Sequence, residues 1–189
     1  DSLKTLTKIM EWESATNILL ISGKKSFKTS GLEAKLKTLL NNKNLTTVND
    51  FEINPKYEEI LLLGDKLKNQ EIDLIIAAGG GSVIDFAKCI NLYLSSWTSD
   101  GSDGIIDREL LPNVLFPLVA IPTTAGTGSE ATHFAVVYIK GIKVSVAHES
   151  LAPKYAIIDP SLTYGSPPYV SACCAFDALC QAIESFWSI

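Results

Sequence analysis

Two loops hold the residues whose types and spacing fit chemistry. Gly79-Gly80-Gly81-Ser82 follows an apolar run at 73–78 and precedes a helical pattern reaching about Leu94. Glycines let backbone N–H groups approach a ligand without interference from a Cβ. The start of a helix adds unpaired donors at the positive end of its dipole. The combination favours a bound phosphate or pyrophosphate. A tight strand-to-helix turn needs only one glycine, and three followed by Ser exceed that need. The spacing is not G-x-G-x-x-G, and it is not a P-loop, because no Lys-Ser/Thr pair follows. The second loop, Pro122-Thr123-Thr124-Ala125-Gly126-Thr127-Gly128-Ser129-Glu130, also follows an apolar run. Its hydroxyls and amides fall where open α/β folds bind ligands, at the carboxyl ends of strands. A Thr/Gly-rich loop alone is commonly structural, but two such loops after two strands point to a nucleotide cleft.

The elements that must position these loops are legible as hydrophobic periods. The runs 17–22 (NILLIS), 73–78 (DLIIAA) and 117–121 (PLVAI) are short and apolar, as expected of strands buried on both faces. Segments 32–40 and 57–68 repeat apolar residues at three- and four-residue spacing, the pattern of amphipathic helices, and 45–51 is a weaker strand. The alternation predicts an α/β fold, a Rossmann-like doubly wound parallel sheet. The apolar window 110–122 is broken by Pro112 and Pro117 and reads as an approach loop with its strand. Beyond residue 130 two strands, 134–139 and 142–147, join through Lys140-Gly141 as a hairpin. A short strand at 155–158 ends in Asp159-Pro160, and Pro167-Pro168 precedes a long apolar helix at 169–186. The expected division is a nucleotide-binding domain over 1–165 and, over 166–189, the first helix of an all-α second domain.

Composition narrows the function classes. Sixteen basic against 21 acidic residues, spread without runs, exclude a nucleic-acid footprint. No 18-residue apolar stretch exists to span a membrane, and no signal peptide opens the chain. Three of the four cysteines (173, 174 and 180, with Cys89 apart) crowd one helix, which fits reduced, buried thiols in a cytoplasmic protein. Structural zinc needs four N/S ligands at paired spacings that are absent here. His133 and His148 read as loop or strand-face residues, with His133 near enough to the Thr/Gly loop to meet an anionic substrate. Residue 1 is Asp, and the chain stops inside an apolar helix, so a piece of a longer protein is expected.

GGGSVIDFAK (79–88), PTTAGTGSEAT (122–132) and the run from Ala152-Pro153 through Asp159-Pro160 to Phe176-Asp177-Ala178-Leu179 resemble the iron-containing (group III) alcohol dehydrogenase family in order and approximate separation. The likeness covers essentially the whole chain. It implies a dehydroquinate synthase-like nucleotide-binding domain and the opening of a helical domain, about half of a usual member. SEATHFAVVY (129–138) and DALCQAIESFWS (177–188) are most similar to the phosphonoacetaldehyde reductase (hydroxyethylphosphonate dehydrogenase) branch. The implied activity is hydride transfer between NAD or NADP and a small aldehyde or alcohol. Ordinary short alcohols or diols are the alternative, or, for this chain by itself, a nucleotide-binding module without catalysis. The family is also expected to assemble as a homodimer or larger homo-oligomer.

Carried over by position, the resemblance puts Gly80, Gly81 and Ser82 on the pyrophosphate and Asp85 towards the nicotinamide. Thr123, Thr124 and Thr127 fall on the adenine and ribose portions, and Lys143 on the nicotinamide ribose. Asp177 matches the first ligand of a divalent metal, Fe²⁺ or Zn²⁺. The second ligand, usually His four residues later, is Gln181, a neutral oxygen donor weaker towards such ions than imidazole. Many members end the first strand with an Asp that binds the ribose hydroxyls. Here Gly23 stands at that place, followed by Lys24 and Lys25, which implies that NADP(H) is accepted and preferred.

Overall fold

The computed structural model describes residues 2–96 and 115–188. Its strands, in chain order, are β1 (Asn17–Ser22), β2 (Asn44–Val48), β3 (Leu74–Gly79), β4 (Leu118–Pro122), β5 (Phe134–Ile139), β6 (Ile142–Ala147) and β7 (Tyr155–Ala156). The helices are α1 (Thr5–Trp12), α2 (Ser26–Thr29), α3 (Leu32–Leu39), α4 (Tyr57–Leu67), α5 (Gly81–Ser96) and α6 (Pro168–Trp187). Five strands form a parallel sheet in the order β2-β1-β3-β4-β7, while β5 and β6 pair as a separate antiparallel hairpin.

Burial explains why the strands read as unbroken apolar runs. β3 and β4 are buried at every residue and β1 at all but its first. On one face Leu19, Ile21, Ile75 and Ala120 pack with Ile60 of α4, Phe86 and Ile90 of α5, and Val137 of the hairpin. On the other, Ile18, Leu20, Ile76 and Val119 meet Leu6, Ile9 and Met10 of α1, Phe27 of α2, and Leu32 and Leu36 of α3. A sheet covered on both faces leaves its strand ends as the place for polar chemistry. The amino ends of β1 and β3 are clipped by Asp73, whose Oδ2 accepts from the N–H groups of Thr16 and Asn17, both at 2.8 Å. Those backbone bonds hold its carboxyl below the usual range. At the carboxyl ends, Gly23 N–H donates to Ala78 O and Thr123 N–H to Gly79 O. Strand order reverses between β1 and β3, which makes this edge a topological switch point.

The predicted α/β architecture is observed, with differences. The strand expected at 155–158 shrinks to two residues, and that at 45–51 is the short, mostly exposed edge strand β2. Residues 97–114, including the first part of the 110–122 window, lie outside the described residues. The sequence reading contains neither α1 nor α2: α2 is a single turn of four residues, while the spacing of Leu6, Ile9 and Met10 in α1 was a legible signal that it passed over. It is also corrected on the thiols. All four cysteines are free, but only Cys89 is buried, whereas Cys173 and Cys180 are exposed. They sit on α6, none of whose residues is buried. No helix among the described residues is long and apolar enough to cross a membrane.

Gly64 marks the tightest helix contact, because a Cβ added there would stand inside the ring of Tyr93 on α5. Gly→Ala in a helix ordinarily gains up to about 1 kcal/mol. Overpacking costs about 1–3 kcal/mol and reverses that sign. Gly64→Ala is therefore expected to lower Tm by several degrees in thermal unfolding. A rise in Tm would show that α4 and α5 have room to spare.

Candidate functional site

At the carboxyl edge the glycine-rich and threonine-rich turns touch. A Cβ on Gly81 would lie 2.8 Å from Thr127 Cγ2, and one on Gly80 would lie 3.1 Å from Thr124 Oγ1. Gly79 is closed off by Val83, with 2.5 Å to its Cγ2. The three glycines thus serve the protein's own packing: Gly80 and Gly81 let the second loop lie across the start of α5, and Gly79 admits the Val83 side chain of that helix. The same approach leaves the first N–H groups of α5, which have no intrahelical partner, beside a row of hydroxyls. Thr123 is 1% exposed and its Oγ1 has no hydrogen-bond partner, as is also true of Ser22 Oγ at the end of β1. Buried hydroxyls without partners call for an explanation, and a ligand bound at this edge is one that fits.

A cleft of about 570 Å³ opens between the start of α5, the hairpin and α6. Of the residues singled out in sequence, Gly81, Ser82, Asp85, Thr127, Lys143, Asp177 and Gln181 line it together. Thr124 lies against Gly80 instead, and Thr123 sits buried below. Gly23 lines a different cavity of about 530 Å³, with Lys24, Lys28 and Asp50. The first turn of α5 stands beside it, since Val83 Cγ2 is 3.6 Å from where a Gly23 Cβ would be. Lys24 there pairs with Asp50 at 2.9 Å, both groups well exposed.

Asp177 and Gln181, four residues apart on one face of α6, reach the cleft with Cys180 and Glu184. No group of three or more His, Cys, Asp or Glu placed to hold a metal exists among the described residues, so these two oxygens do not form a metal centre by themselves. α6 rests on the threonine-rich loop through Gly126, where a Cβ would come 2.6 Å from the carbonyl oxygen of Cys174. His133 does not line the cleft, and its ring packs on Phe134. His148 caps the turn Glu149–Leu151, with Nδ1 at 2.7 Å from Ser150 Oγ.

Lys88 and Asn54 escaped the sequence reading, and Asp85, which that reading set towards the nicotinamide, is engaged by the protein itself. Asp85 Oδ1 accepts from Ser129 Oγ at 2.5 Å and Oδ2 from Val136 N–H at 3.0 Å, so both oxygens are used within the protein. Lys88, 0% exposed, donates from Nζ to the carbonyls of Thr132 (2.8 Å) and Phe134 (2.7 Å). Asn54, in the left-handed region at φ 66°, donates its N–H to Ser82 Oγ at 3.4 Å, and the next residue, Pro55, accepts from Tyr138 N–H. The available signals were a lone Lys inside the apolar helix VIDFAKCIN and an Asn-Pro turn.

Burial pushes the Lys88 ammonium from its ordinary 10.5 down to about 8. Between those values the unfolded chain binds more protons than the folded one, so stability rises with pH, by up to about 1.4 kcal/mol per unit. Burial pushes the neighbouring Cys89 thiol up from 9.0 to about 12, which opposes the trend above pH 9. The denaturant midpoint is therefore expected to climb from pH 8 to pH 9 in the native chain and to lose that climb in Lys88→Met. An unchanged slope in the variant would refute the assignment.

The profile of the family described as iron-containing alcohol dehydrogenase matches residues 1–160. Probable alcohol dehydrogenase EutG of Escherichia coli (strain K12) is 43% identical over 123 residues, covering 64% of this chain and 31% of that protein. The crystal structure of an iron-containing alcohol dehydrogenase from Thermotoga maritima superposes with TM-score 0.87 at 30% identity, over 97% of this chain and 51% of that one. Sulfoacetaldehyde reductase from Bifidobacterium kashiwanohense, in complex with NAD⁺, superposes with TM-score 0.79 at 29% identity, over 97% and 49%. This chain thus spans about a third of that curated relative and about half of those structures. With the profile running from residue 1 through the hairpin to residue 160, and the sheet, loops and α6 superposing on solved members, the chain belongs to the iron-containing alcohol dehydrogenase family.

Proposed function

We propose that this chain forms the dinucleotide-binding part of an NAD(P)-dependent oxidoreductase that interconverts a small aldehyde and its alcohol. The observation that carries the reading is the convergence of Gly81, Ser82, Thr127 and Lys143 with Asp177 and Gln181 on one cleft. The start of α5 would hold the pyrophosphate, Thr123 and Thr124 the adenosine side, and Lys143 the nicotinamide ribose. In the reducing direction aldehyde, NAD(P)H and a proton give alcohol and NAD(P)⁺. The protein's part is to hold the nicotinamide against the carbonyl carbon and keep water out. A divalent metal, when bound, polarises a carbonyl as a Lewis acid. Asp177 and Gln181 offer it two oxygens, and its other ligands would come from outside the described residues. Residues 1–165 would then be the nucleotide-binding unit and 166–189 the opening of a helical one, a division supported by the uncovered state of α6.

For the substrate we infer an aldehyde bearing an anionic group, phosphonoacetaldehyde by the likeness of segments 129–138 and 177–188. The similarity to a sulfoacetaldehyde reductase supports the anionic class. Lys143 is the one cation lining the cleft among the described residues, against Asp85, Asp177 and Glu184. The whole protein is expected to reduce phosphonoacetaldehyde with a higher kcat/KM than a simple aliphatic aldehyde. Equal values would remove this assignment and leave the aldehyde class standing.

For the cofactor, we expect calorimetric titration of this chain to show binding of both NADPH and NADH. One charge-assisted contact from Lys24 or Lys25 to the 2′-phosphate is worth ~1.5–3 kcal/mol, so NADPH should bind roughly tenfold tighter or more. A side chain at position 23 is admitted if the Ser26 hydroxyl, 3.2 Å from the added Cβ, gives by a few tenths of an ångström. Gly23→Asp should therefore reverse the preference. No heat with either nucleotide would overturn the dinucleotide reading, whereas a chain favouring NADH would overturn only the 2′-phosphate contact.

A further inference from the structure

We infer that Asp85 and Lys88, one turn apart on α5, are positioning residues that stand in for a missing neighbour strand along the free edge of β5 and so set where the hairpin wall of the cleft stands. The inference rests on the cleft being the dinucleotide site proposed above.

In an antiparallel ladder the N–H and C=O groups of successive residues turn alternately to one side and the other. His133 O faces β6, where it accepts from His148 N–H at 3.1 Å, and Ala135 and Val137 follow it with partners Val146 and Val144. The even-numbered residues turn the opposite way, towards an edge that among the described residues carries no strand, only a single parallel bridge between Tyr138 and Lys56. Four groups on that edge are met by a side chain or loop of complementary character. Lys88 Nζ donates to the carbonyls of Thr132 and Phe134, Asp85 Oδ2 accepts from Val136 N–H, and Pro55 O accepts from Tyr138 N–H. A carboxylate thus faces an amide and an ammonium faces two carbonyls, the sequence of acceptor and donor that a paired strand would present.

Simple packing does not call for a buried ammonium. Replacing a whole buried ion pair with apolar side chains of similar volume is often neutral or stabilising, whereas charged groups can specify one arrangement among several. Burial holds the Lys88 ammonium well below the usual lysine range, so the fold keeps this cation against a solvation penalty. What it specifies here is position. The helix that bears Asp85 and Lys88 also puts Gly81 and Ser82 on the cleft, and the strand they grip belongs to the hairpin that brings Val136, Tyr138 and Lys143 to the opposite side. The offset between those two walls is set by three hydrogen bonds from two side chains to the main chain of residues 132–136.

The test combines amide hydrogen exchange with calorimetric titration of NADPH, on this chain and two variants. In Lys88→Met, exchange of the β5 amides should accelerate at least tenfold while β1 and β3 amides keep their rates. NADPH affinity of the folded variant should fall about tenfold. A residue serving stability alone would lower the denaturant midpoint and leave affinity intact in the folded fraction. In Asp85→Ala, the Val136 amide should exchange at least tenfold faster while Ala135 and Val137, bonded to β6, do not. This variant decides the matter if Lys88→Met does not fold. Native exchange rates across β5, or faster exchange with undiminished NADPH affinity, would overturn the inference. A native chain that binds neither NADPH nor NADH would sink the function proposed above, and the exchange rates would still decide whether these side chains hold the strand.

Discussion

The side chain of Thr127 fills the space where any residue but glycine at position 81 would carry its Cβ, and this close approach orders the rest of the site. It draws the loop after β4 across the start of α5. Ser129, two residues beyond, then reaches Asp85, and the chain enters β5 already tied to the helix. The hairpin stands beside α5 as a consequence, and the cleft is the gap left between them and α6. The glycines at 79–81 were first attractive as a phosphate cradle, and their packing role is compatible with it. The contacts that exclude side chains from this turn also leave its amides bare at the start of a helix, where anions are favoured.

α5 is buried along most of its length, yet every third residue from 82 to 91 is polar, and each binds a different piece of main chain. Ser82 meets Asn54, Asp85 meets Val136, Lys88 meets Thr132 and Phe134, and Asn91 both donates to and accepts from Phe116. A three-residue step falls short of a full turn, so the row winds half-way round the helix and reaches segments on different sides of it. The helix thus acts as a hub that satisfies the backbone of connections arriving from three other parts of the chain. A purely apolar helix could bury the same surface but would leave those main-chain groups unpaired at substantial cost.

What the sequence discloses follows from how local each determinant is. Strands covered on both faces must be continuously apolar, so β1, β3 and β4 were visible within a residue or so of their observed bounds. The hairpin was visible because Lys140 and Gly141 take the left-handed conformation that a two-residue turn requires, at φ 50° and 80°. The two loops could be placed at the carboxyl edge by the same reasoning. Less legible was anything depending on which surfaces meet. Asp85 was assigned outward to a cofactor, although both of its oxygens are used within the protein. Gly23 was placed at the ribose end of the cofactor, and that it lines a cavity of its own with Lys24 and Lys28 depends on how α2 and β2 fold around it. Cys173 and Cys180 were read as core because their helix is apolar, but apolar character does not reveal whether a partner lies against it. Lys88 looked like any helix lysine, since the carbonyls it serves are 44 and 46 residues away.

The seat of α6 on Gly126 gives the cleft the mechanics of a lever. The helix's main chain bears on the threonine-rich loop at Cys174, and none of its side chains is buried along the span to Trp187. Asp177 lies three residues from that fulcrum and Glu184 ten, roughly 4.5 Å and 15 Å along the axis. A tilt of about 10° about the bearing point therefore carries Glu184 through roughly 2.6 Å but Asp177 through less than about 1 Å. The position of Glu184 in the cleft is thus set more sensitively by the seat of α6 on Gly126 than the position of Asp177 is. Gly126 is the bearing surface, and any side chain there would raise the arm off its seat.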